Sequence, residues 1–92
     1  MIATANPRLR DDETTGSSEL VRAEALFAST LQSSESPSAD QVRRAVSATL
    51  RRLGATGCAA LLAGEFGEHP DIAAARMTWA LQTTELVFKA AS

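Results

Sequence analysis

The residues with chemical reach are few and scattered. Cys58 and His69 are the single cysteine and the single histidine of the chain, and a thiol beside an imidazole is what a cysteine nucleophile needs. They lie eleven positions apart, at opposite ends of one short helical stretch, so they cannot meet within one chain. One Cys and one His also make neither a disulfide nor a metal-ligand cluster. Glu65 and Glu68 are close in sequence, but carboxylates near a helix end are common and specify no acid–base chemistry. Gly54, Gly57, Gly64 and Gly67 fit no phosphate-loop or dinucleotide fingerprint, and no strand precedes them. No catalytic, cofactor-binding or metal-binding residue is expected, and the chain reads as non-enzymatic.

Two other constellations carry more. Arg43, Arg44, Arg51 and Arg52 fall on the outward half of one helix, with nothing acidic between Asp40 and Gly54. Four guanidinium groups on one surface could grip phosphates, a nucleotide or an acidic protein. The plainer reading is a solvated helix face, and without interleaved aromatics single-strand stacking is unsupported. The second constellation is "LLAGEFGEHPDIAAARMTWAL", in which a helix stops near Gly67 and another starts at Pro70. That is the outline of a helix-turn-helix over 57–89. Its chemistry disagrees with DNA reading. Glu68 replaces the usual apolar turn residue, and Pro70, Asp71, Ala74 and Ala75 offer no donor to a base edge. Arg76 is the one strong donor there, and the periodicity turns it inward.

The elements that hold these residues are all helical in pattern. The spacing predicts a disordered tail over 1–17 and a single helical domain over 18–92. A first helix is expected from Glu19 to about Leu31, capped by Ser18, with Leu20, Ala23, Phe27, Thr30 and Leu31 on one face. "QSSESPS" reads as a linker. A second helix begins either at Pro37 after Ser36 or at a Ser38–Gln41 capping box. Val42, Ala45, Val46, Thr49, Leu50 and Leu53 line its inner face, and Gly54 supplies a left-handed stop. A third helix is expected over about Gly57 to Phe66, ended by Gly67. A fourth runs from Pro70 to about Lys89. The fold class is therefore all-α, a small four-helix domain with the long C-terminal helix as its hub.

That last helix is unusually apolar. Ala73, Met77, Ala80, Leu81, Val87 and Phe88 form one stripe, and Ile72, Trp79 and Leu86 form a second beside it. Together they cover about two-thirds of the circumference, more than one neighbour can bury. Arg76 lies inside this arc. Its stem can pack on Trp79 while its head reaches solvent, or it can pair with an acid on another helix, with Glu24 the best-placed candidate.

Charge and composition narrow the partners. A net charge of −2 and a pI near 5.3 give no general attraction to nucleic acid or anionic membrane. The N-terminus lacks the apolar core of a signal peptide and no run is long enough to span a membrane, so a cytoplasmic location is expected. Eight Arg against one Lys, with abundant Ala, suits a GC-rich genome. The runs "LFASTLQ", "SPSADQVRRAV", "GCAALLAGEFGEHP" and "AAARMTWA" together resemble short hypothetical proteins of high-GC actinobacteria. The resemblance implies a cytoplasmic bacterial origin and one compact domain over about residues 20 to 82, and it carries over no site residue. The expected function is a small non-catalytic interaction or regulatory module, homodimeric through helix packing. Ile72, Trp79 and Leu86 would be its first partner surface and the Arg43–Arg52 face its second. The alternative is a nucleic-acid-associated transcriptional regulator using 57–89 or the basic second helix.

Overall fold

The computed structural model describes residues 18–90, and the expected tail over 1–17 lies outside them. Helix α1 runs over 18–28, a 3-10 turn follows at Ser33–Glu35, then α2 at Ala39–Glu68 and α3 at Pro70–Ala90. No strand occurs among the described residues, so the all-α class holds. The expected second and third helices follow one another directly as two helical segments that meet at a kink at Gly54, taken together here as α2, so the described residues hold three helical runs and the count of four is not confirmed.

The reason lies at Gly54. Its φ of 73° and ψ of 167° place it in a region essentially restricted to glycine. The backbone breaks there and resumes as helix at Ala55 without an intervening loop. The expected positive-φ interruption at Gly54 is present, but the next helix begins at once where a short "GAT" connection was expected. Gly67 differs more sharply from expectation. It sits within α2, which continues to Glu68, and its φ is not positive. The stop belongs to His69, whose N–H closes onto the Glu65 carbonyl at 2.7 Å and whose φ and ψ of −138° and 68° leave the helix. Pro70 disfavours helical geometry at the residue before it, and as the first residue of α3 it has no N–H to leave unpaired.

At the start of α2 the capping box decides between the two expected signals. Gln41 N–H donates to the Ser38 hydroxyl at 3.1 Å, and Ser38 N–H donates to the Gln41 side chain at 2.7 Å. Pro37 lies outside the helix, after Ser36, which adopts a left-handed φ of 49°. Ser18, expected as the cap of α1, is already helical. The end of α1 comes at 28, short of Leu31, where the Ser29 hydroxyl turns back onto the Leu26 carbonyl at 2.7 Å.

The core joins Ala23, Ala25, Leu26 and Phe27 of α1 with Val42, Val46 and Cys58 of α2 and Ala73 and Ala80 of α3. Phe27 stacks on Phe66 with ring centroids 6.3 Å apart, and Arg22 lies over Phe88 at 4.5 Å. Leu20 and Thr30, expected on the inner face of α1, are exposed, and Leu26 takes the central place. Burial is densest along α1, not along α3. Ile72, Leu81 and Leu86 are all exposed, so α3 forms a side of the bundle and not its hub. Two neighbouring helices do not wrap an apolar arc as wide as the one α3 carries.

Candidate functional site

Among the described residues Arg76 makes the most hydrogen bonds of any side chain. From the inner flank of α3 its guanidinium reaches the end of α1 and bonds four backbone carbonyls. Nε donates to Phe27 at 2.9 Å, and Nη2 donates to Leu26 at 3.3 Å, Ser29 at 3.0 Å and Leu31 at 2.9 Å. The last carbonyls of a helix have no partner within it and carry the negative end of its dipole. A planar cation with several donors in fixed directions suits them. The group also lies 5.0 Å from the Trp79 ring centroid and 5.7 Å from that of Phe27, within cation–π range. Burial pulls its pKa below the usual arginine value.

This corrects the expected ion pair. Glu24 and Arg76 form no salt bridge, since the guanidinium is engaged by backbone oxygens and not by a carboxylate. The stem-on-Trp79 reading survives in the ring contact, but the head turns inward to α1 and not out to solvent. Glu24 instead lies near Cys58. Burial raises the Cys58 thiol pKa, Glu24 raises it further, and Arg52 works in the opposite direction. The thiol is enclosed in the core, while His69 sits exposed in the α2–α3 turn with its Nε2 4.0 Å from a Glu68 oxygen. The structure does not bring these two residues together.

The Ile72–Trp79–Leu86 stripe divides. Ile72 and Leu86 are 69% and 73% exposed, whereas Trp79 is half-buried beneath Arg76. Beside Ile72 lies a shallow cleft of about 420 Å³ between the 3-10 turn and the start of α3, lined by Gln32, Ser33, Asp71, Ile72, Ala75 and Arg76. Neither α1 nor α2 covers this edge. The cleft could not be found from the sequence, because it depends on where the linker passes α3. Leu81, 46% exposed, lies outside it on the other flank.

The basic residues occupy the outer side of the first half of α2, as their spacing indicated. Arg43 pairs with Asp40 at 2.6 Å, Arg44 Nε reaches the Asp40 carbonyl at 3.5 Å, and Arg51 donates to the Ser47 hydroxyl at 3.2 Å. Arg44, Arg51 and Arg52 are exposed and make no salt bridge with another described residue. In the helix-turn-helix outline, α2 and α3 are joined through the single residue His69. The first three turns of α3 hold no uncommitted bidentate donor, since Arg76 is tied to α1.

Among the described residues no three His, Cys, Asp or Glu side chains are grouped to hold a metal ion, and no helix is long and apolar enough to cross a membrane. No protein-family model matches the chain, and no curated protein or solved structure matches it either.

Proposed function

We propose that this chain is a small non-catalytic interaction module that works as a homodimer, with the Ile72–Leu86 edge of α3 as its interface. The observation that carries the reading is the exposure of two large aliphatic side chains on one helix edge, with the half-buried Trp79 between them. Scattered apolar residues on a surface need no explanation, but an aligned row beside a cleft marks a contact site. A core built so heavily from Ala and short of large side chains gives a second reason, since small domains gain stability by association. Light scattering across a concentration series tests it. The expected mass is twice the 9.7 kDa of one chain, falling to one chain in Leu86→Glu. A wild-type monomer at every concentration rejects the reading.

The exposed Arg44, Arg51 and Arg52, none of them in a salt bridge with a described residue, support a second reading, a surface for an anionic partner such as nucleic acid. Such binding would weaken steeply with salt. Titration against duplex DNA at low ionic strength decides it, and the absence of binding there removes it.

A further inference from the structure

Resting on the dimer reading, we propose that two copies pair through antiparallel α3 helices about a twofold axis at Trp79, each Leu86 entering the partner's cleft beside Ile72. Ile72 and Leu86 stand seven residues to either side of Trp79, about 10 Å away along the axis. A twofold perpendicular to the helix at Trp79 therefore sets Ile72 of one copy against the partner's Leu86, and the reverse. The contact is self-complementary, as a closed dimer requires. A heptad row of this kind is the usual seam between paired helices.

Both the cleft and the charges favour antiparallel over parallel pairing. The cleft lies at the Ile72 end of the row, walled by Gln32, Ser33, Asp71, Ala75 and Arg76. Only antiparallel pairing delivers a side chain to it from the other end, where Leu86 projects 73% exposed. Asp71 and Lys89 share one angular position on α3, five turns apart at 3.6 residues per turn, and both are exposed. The twofold brings each Asp71 to the same flank as the partner's Lys89, within about two residues of axial register. Lys89 already leans on Glu85 at 3.9 Å, a contact exposed at both ends that yields readily. The parallel arrangement would instead put the two Asp71 side chains at one axial level on opposite flanks, with no Lys89 at that level, and would align the helix dipoles unfavourably.

Disulfide trapping tests the register. One batch carries Ile72→Cys and another Leu86→Cys; Cys58 is enclosed and remains out of reach. The expected result is an oxidised dimer when the batches are mixed, and little when either is oxidised alone. Efficient linkage of Ile72→Cys chains to each other would establish parallel pairing and overturn the proposal. A second arm uses charge. Asp71→Lys and Lys89→Glu should each weaken the dimer by about threefold to tenfold, and the double variant should recover it. Failure of the double variant to recover overturns the register even without cross-linking. The two readings fail differently. A chain monomeric throughout, or a dimer indifferent to Leu86→Glu, sinks the interface itself. A dimer dissociated about a hundredfold more easily by Leu86→Glu, yet linked 72 to 72, sinks only the antiparallel geometry.

Discussion

Arg76 and Ile72 lie about one turn apart on α3, and their surroundings treat them in opposite ways. The arginine, the residue hardest to place on an apolar flank, is met by four carbonyls and two rings. The isoleucine, which any core would accept, is 69% exposed beside an open cleft. The first arrangement is complete within one chain, because α1 ends where the guanidinium can satisfy its orphaned oxygens. The second is incomplete, because among the described residues none reaches past the 3-10 turn to cover it. The contrast separates what this helix does for its own fold from what it offers outside.

The sharpest way to break the comparison is to remove the donors from the finished side. Arg76→Met keeps an apolar stem against Trp79 and leaves the α1 carbonyls without their cation, and it should cost about 2–3 kcal/mol. Arg76→Lys should fall between, since one ammonium cannot serve the same set of acceptors. Urea denaturation measures both, and a loss below about 0.5 kcal/mol for Arg76→Met would show that water replaces the guanidinium without penalty. A smaller effect is expected at the α2 break. Gly54→Ala forces a Cβ into a glycine-only conformation and should destabilise by about 1–3 kcal/mol. Gly67→Ala, in helix with open space around a built Cβ, should stabilise by about 0.5–1 kcal/mol. Opposite signs at the two glycines are the point of that pair. The smallest effect belongs to the open side. Leu86→Ser, measured at concentrations where the wild type is a monomer, should change unfolding free energy by no more than about 0.5 kcal/mol. At higher concentration the wild type alone should gain stability, because association draws on the folded state.

Which of these features was legible in the sequence follows from what sequence patterns encode. The inward direction of Arg76 was readable from helical spacing, but its acceptors were not. Backbone carbonyls belong to no residue type, so a search for a partner naturally stops at an acid such as Glu24. The Ser38–Gln41 box was readable because its two side chains are the contact. Gly54 could be recognised as a break, yet whether a helix resumes at once depends on packing beyond it. Gly67 misleads for a related reason: a glycine before a proline resembles a stop, while the proline alone is sufficient. Periodicity grouped Ile72, Trp79 and Leu86 correctly, but only the path of α1 and the linker determines that Trp79 is sheltered and its neighbours are not.

The Arg76 bonds also bear on the order in which the chain assembles. They join positions 45 to 50 residues apart, whereas α2 and α3 meet across the single residue His69. Closing the larger loop costs more chain entropy, and such long-range contacts are the slow ones to form. The α2–α3 hairpin is thus the cheaper structure to make first, and α1 gains its carboxy-terminal cap only once that hairpin stands. One guanidinium then acts as a latch, closing late during folding and releasing early during unfolding.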